Sequence, residues 1–177
     1  MIPHFQSSLL ARDKEEKFGL GAWTNEPDYM QYHSELDSSI VCVIKRHREM
    51  GHLCGYVGVT RLSNLYGVPL GFGYSESDAM EGLNEALDEA AHCGVTFCGK
   101  IELERYTHDF DKEVHAWGFD CGHYMDLSPY MKKHQLLSAA AIGSGQEYRD
   151  IEYVKGRVNG MARIISTIQE TTGDLEW

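Results

Sequence analysis

No two cysteines in this sequence are spaced as CxxC, and the five present, at positions 42, 54, 93, 98 and 121, are an odd number. That argues against the dense disulfide framework of small secreted domains and lends no support to a zinc site built on cysteine pairs. Long apolar runs are also missing. The opening residues, MIPHFQSSLLARDKEEK, contain no hydrophobic signal-peptide core, and no segment approaches membrane-spanning length. Positive charge is scarce: 16 Lys and Arg against 27 Asp and Glu leave a net charge of −11, which opposes direct, sequence-independent binding to DNA or RNA. There is no GxSxG nucleophile elbow and no P-loop, and the glycines of GVPLGFG do not follow the dinucleotide fingerprint. The expectation is a reduced, cytoplasmic protein without a membrane segment, whose thiols pack mostly as small hydrophobes.

What is present reads as one domain over 1–177, with 42% hydrophobic and 11% aromatic residues. Residues 1–38 are polar and irregular, interrupted by Gly19, Gly21 and Pro27. A sheet region follows over 39–121. SIVCVIKRH (39–47) and HLCGYVGV (52–59) are strand-like and close enough for a hairpin, and LSNLYGVPLGFGY (62–74) reads as a loop. In SESDAMEGLNEALDEAA (75–91) the period changes. Ala79, Met80, Leu83, Ala86, Leu87 and Ala90 form one helical stripe, and Ser75 with Asp78 resembles a capping box. CGVTFCGKIEL (93–103) and VHAWGFDC (114–121) are strands joined by a charged connection. A helical turn near Pro129 precedes SAAAIGSG. Ile151, Val154, Val158, Met161, Ile165 and Ile168 then place a helix over 148–170. The expected fold class is α+β: an antiparallel sheet of about four to five strands with the long C-terminal helix packed on one face.

The stretch GFDCGHYMDL (118–127) holds Asp120, Cys121, His123 and Asp126 within seven positions. Strand alternation assigns Val95, Phe97, Trp117, Phe119 and Cys121 to the core. It assigns His92, Thr96 and Asp120 to a polar face, with Gly94, Ala116 and Gly118 between them, where a ligand meets little steric obstruction. His92 follows a helix C-terminus and would pair with Asp120, to hold an anion or transfer a proton; the alternative is that both are caps. Asp120, His123 and Asp126 form a possible divalent-metal trio, while Asp126 is equally placed to N-cap the helix starting at Pro129. Lys45, Arg46, His47 and Arg48, with Arg61 and Lys100, are either phosphate contacts or solvated strand edges.

The blocks LCGYVGV (53–59), NLYG (64–67), HCGVTF (92–97), WGFDCGH (117–123) and YRDIEYVK (148–155) resemble, in order, a family of small tailed-phage and prophage proteins. That family carries LCGYV, PLYG, HGGLTY or HGGLTF, and GFDCAH motifs, and its terminal helix opens with YRD. The resemblance spans residues 39–170. It implies a phage origin, hence the cytosol of an infected host cell, without fixing an activity. Cys93 stands where the family usually has Gly; His92, Thr96, Asp120, Cys121, His123 and Asp126 match motif positions.

Three functions follow as expectations. The first is a counter-defence protein that sequesters a nucleotide-derived host signalling molecule through His92, Gly94, Thr96, Gly118, Asp120, His123 and Tyr66, with Tyr56, Phe72, Tyr74 and Tyr124 as further stacking candidates. The second is a hydrolase or phosphodiesterase, with His92, Asp120 and His123 as its catalytic groups around a water or a divalent metal. The third is an acidic inhibitor of a host protein, suggested by Glu81, Glu85 and Asp88. A homo-oligomer is compatible with each.

Overall fold

β-branched residues dominate IVCVIKR and LCGYVGV, and these segments form the central hairpin of a computed structural model that describes residues 5–9, 11–70, 78–105, 112–136 and 145–173. In chain order the elements are β1 (Phe5–Ser7), α1 (Ala11–Phe18), a 3₁₀ turn (Ala22–Asn25), β2 (Tyr29–His33), β3 (Ile40–Arg46), β4 (Leu53–Val59), α2 (Asp78–Ala90), β5 (Phe97–Glu102), β6 (Glu113–Asp120), α3 (Pro129–Lys133) and α4 (Ile151–Gly173). The strands form one antiparallel sheet of order β1-β2-β3-β4-β6-β5. The α+β architecture is the one expected, with six strands rather than four or five. Phe72, Tyr74, the Ser75 cap and most of SAAAIGSG lie outside the described residues.

The register decides which side chains meet the helices. Cys42, Val57, Trp117 and Cys98 face each other across four strands, as do Ile44, Gly55 and Phe119 across three. On this face α4 lays down Val154, Val158, Met161, Ile165 and Ile168, all fully buried, and α2 adds Leu87. At about 1.5–3 kcal/mol per buried side chain, those five α4 residues contribute on the order of 10 kcal/mol gross, an upper bound. Gly55 permits the close approach: a Cβ there would lie 2.6 Å from both Val158 and the Phe119 ring.

The opposite face carries a smaller cluster of Tyr29, Val41, Val43, Leu103 and Val114, with Tyr56 and Ile101 at its margin. Phe97 belongs here, not with Trp117 as alternation suggested. Its partner is Gly118, and its ring meets Tyr56 edge-on at 5.4 Å. The shift arises because the strand begins at Phe97; Cys93 and Gly94 take positive φ (56° and 92°), which breaks the alternation before it. Val95 is buried in the main core as expected.

The N-terminal segment is the main departure from the sequence reading. Residues expected to be irregular contain two strands, a helix and a 3₁₀ turn. In β2 (YMQYH) the polar alternation is accommodated by hydrogen bonds: buried Gln31 accepts from Tyr29 Oη at 2.8 Å and donates to the Arg105 carbonyl at 2.7 Å. A buried ion network fastens the segment. Arg46, read as a phosphate ligand or solvated edge, is instead enclosed: its Nε donates to Asp28 (2.6 Å), Nη1 to the Gly51 carbonyl and Tyr148, and Nη2 to Glu26 (3.1 Å). Lys14, 1% exposed, pairs with Asp28 and also reaches the Glu26 carbonyl. Glu26 in turn accepts from Tyr148 and from the Ile151 amide that begins α4.

Replacing Arg46 with Ala leaves the partly buried Glu26 without its guanidinium partner and Asp28 with Lys14 as its remaining ion-pair partner. The expected loss is about 3–5 kcal/mol, read by urea unfolding. A loss below 1 kcal/mol would show that the network does not hold the segment.

Candidate functional site

Three segments meet beyond the C-terminal end of β6: the turn after α2 (residues 91–96), the loop 121–128 and the start of α4. Asp126 is their common point. It is 4% exposed, yet its carboxylate is fully engaged. Oδ2 lies 2.7 Å from His92 Nε2 and accepts from the His123 amide at 3.1 Å, and Oδ1 accepts from Arg149 Nε at 3.0 Å. Burial acts to raise its pKa. Hydrogen bonds from His92, Arg149 and the His123 amide together outweigh that and hold it below the usual 3.8. Asp126 is therefore not the N-cap of α3: Ser128 occupies that position and its hydroxyl donates to the Met50 carbonyl at 2.8 Å.

His92 is clamped at both nitrogens, with Tyr153 Oη 2.8 Å from Nδ1. A neutral ring that donates from Nε2 to Asp126 and accepts at Nδ1 from Tyr153 satisfies all three groups. His123, about one-third exposed, packs edge-on to His92 with ring centroids 5.3 Å apart. Its Nδ1 is 3.4 Å from Asp126 Oδ2 but out of line for a hydrogen bond, so that buried atom has no hydrogen-bond partner among the described residues. Cys93 is exposed, with Sγ 3.8 Å from His92 Nε2. His92, Cys93 and His123 each offer a donor atom within 4.8 Å of the others. Arg149 and Arg157 both lie over the Tyr153 ring, at 4.9 and 5.5 Å.

The structure redistributes the residues expected to share one polar face. Thr96 and Asp120 do meet, at 3.2 Å. His92, however, points to Asp126 and Tyr153, and Asp120 instead closes a turn by accepting from the Gly122 amide at 2.9 Å. Of the metal trio, His123 and Asp126 are adjacent, but no bond joins either to Asp120 among the described residues. Gly118 is not open to a ligand, since a Cβ there would sit 2.4 Å from the Tyr56 ring. Gly94 belongs to a tight turn closed by Asp88, whose Oδ1 accepts from the Val95 amide at 2.7 Å. Tyr66 bonds Glu113 Oε1 at the other end of β6, about 23 Å from Asp120 at strand rise. There Tyr66, Arg61 and Lys100 hold the Glu113 carboxyl at about 2.

Arg149, Tyr153 and Arg157 were missed by sequence reasoning, although YRDIEYVK places Arg149 and Tyr153 four apart at a helix start. Cys93 is exposed, against the expectation that the thiols pack mostly as small hydrophobes. His52 was missed too. It is buried, stacks on His47 at 4.8 Å, and lies beside Gly122, where a Cβ would be 2.9 Å from its ring. Burial first, and the His47 charge second, lower its pKa from 6.5 to about 4. As pH falls through 6.5 the unfolded chain takes up a proton that the folded protein refuses until about pH 4. Stability is thus expected to fall across that window, and His52→Gln to flatten the fall relative to wild type in urea melts. Identical pH profiles would refute the neutral, buried state of His52.

Comparison with family models, with curated proteins and with solved structures finds no match to this chain.

Proposed function

We propose that the protein captures a small nucleotide-derived ligand at the cluster of Cys93, His123, Arg149, Tyr153 and Arg157 around His92. In this reading it is a phage counter-defence protein that sequesters a host immune signalling molecule. The observation that carries it is the pair of guanidinium groups over one tyrosine ring, beside two imidazoles. Phosphate oxygens are recognised by such donor sets, and Arg is suited to them by its planar fork. Arg149 is occupied by Asp126 and Glu147, but Arg157 has no acidic partner among the described residues, its only bond being to the Glu89 carbonyl at 3.5 Å. Tyr124, 66% exposed and next to His123, supplies a ring on which a base can stack. The resemblance to phage proteins supports the biological setting, and the −11 charge favours a small ligand over a nucleic acid.

A second reading, hydrolysis of the same ligand, is favoured by the Tyr153–His92–Asp126 hydrogen-bond chain. Since His92 is buried, the proton-transferring group in that case is the more exposed His123, whose backbone amide is held by Asp126.

Calorimetric titration with cyclic nucleotides and ADP-ribose derivatives, followed by mass spectrometry of the recovered ligand, tests both. One of them is expected to bind, to be recovered intact, and to bind at least about tenfold more weakly to Arg157→Ala. Chemically altered ligand would replace sequestration with hydrolysis. No binding across the panel would dismiss both.

A further inference from the structure

We propose that His92, Cys93 and His123, whose donor atoms all lie within 4.8 Å of one another, hold a zinc-type divalent metal, with Asp126, outside that set but adjoining both histidines, drawn in as the fourth ligand; this differs from the Asp120, His123 and Asp126 trio suggested by spacing. The inference stands independently of the nucleotide reading. A tetrahedral zinc ion bound by nitrogen and oxygen at about 2.0–2.1 Å and by sulfur at about 2.3 Å separates its ligand atoms by about 3.3 Å, or about 3.6 Å where sulfur is one of them. Asp126 Oδ2 to His123 Nδ1 is 3.4 Å and Cys93 Sγ to His92 Nε2 is 3.8 Å, both close to those edges. The 2.7 Å between His92 Nε2 and Asp126 Oδ2 is shorter because a hydrogen bond joins them; metal would replace that bond and open the pair slightly.

Three further features point to a ligand. His123 Nδ1 is a buried atom without a hydrogen-bond partner among the described residues, a cost that coordination removes. Cys93 is held at φ 56°, in the left-handed region that disfavours side chains, and this conformation sets its thiol beside the two imidazoles. The outer groups are already in place. When the metal takes the Nε2 lone pair, the ring proton sits on Nδ1 and donates to Tyr153 Oη. Arg149 remains on Asp126 Oδ1. The Cys93 S–H bond breaks as the metal–sulfur bond forms, releasing one proton to solvent. The resulting thiolate and carboxylate neutralise the dication.

Titrating the metal-free protein with cobalt(II) and then competing with zinc(II) tests the site. The expected result is one equivalent of tetrahedral cobalt with a thiolate charge-transfer band, displaced by zinc. Cys93→Gly relieves the positive φ, so its melting temperature without metal is expected to match or exceed that of wild type. It is also expected to lose the thiolate band and to weaken zinc binding at least about tenfold. His123→Gln should weaken zinc binding while keeping some thiolate absorption, and Cys98→Ser should change neither. An octahedral cobalt spectrum, or a thiolate band that survives in folded Cys93→Gly, overturns the proposal.

Discussion

A carboxylate removed from water must be compensated where it sits, and Asp126 is compensated by groups from three separate parts of the chain. His92 comes from the turn after α2, the His123 amide from its own loop and Arg149 from the lead-in to α4. Loss of any one leaves a buried charge less well paired, which is costly in a low-dielectric setting. The consequence is a cluster whose geometry is set before any ligand arrives. His92 has no freedom to rotate between Asp126 and Tyr153, whereas Cys93 and His123 remain open to solvent beside it. Rigid polar groups behind accessible ones are what a recognition or metal site requires.

The cluster is itself held by a second buried network. Arg46, on the helix-facing side of β3, binds Glu26 and Asp28 from the N-terminal segment and Tyr148 from the residue next to Arg149. Glu26 also receives the first amide of α4. The N-terminal residues thus reach the site through two shared partners rather than by contributing a ligand group. Displacing them would shift the start of α4 and, with it, Arg149 and Tyr153. Stability of the sheet edge and geometry of the site are coupled through one guanidinium.

The parts legible in the sequence were those governed by periodicity. The α4 stripe, the hairpin of β3 and β4, and the burial of Trp117, Phe119 and Cys121 all follow from repeating apolar spacing, and His123 with Asp126 follows from a separation of three. The parts that escaped depend on exceptions to it. Two consecutive positive φ angles at Cys93 and Gly94 end the alternation that was used to assign faces, so Phe97 and His92 were placed wrongly. The resemblance offers a glycine at Cys93, and that was the available signal of an unusual backbone there. The N-terminal strands hide because Gln31 and Arg46 are buried by hydrogen bonding that no hydropathy pattern records. Arg149 and Tyr153 reach the site only through the tertiary approach of α4, which the YRDIEYVK motif by itself does not encode.

Asp126 joins the His92 ring and the His123 backbone amide into one unit, with the His123 ring set 3.4 Å from the same carboxylate oxygen. The most direct measurement is the NMR spectrum of the histidine ring signals, at one fixed pH, in wild type and in Asp126→Asn, which preserves side-chain shape while removing the charge. The ring signals of His92 and His123 are both expected to move in the variant, since His92 loses its acceptor and the His123 ring loses a carboxylate 3.4 Å away, while those of His115 near the far end of β6 stay where they were. Unchanged ring signals of His92 and His123 in Asp126→Asn would contradict the account.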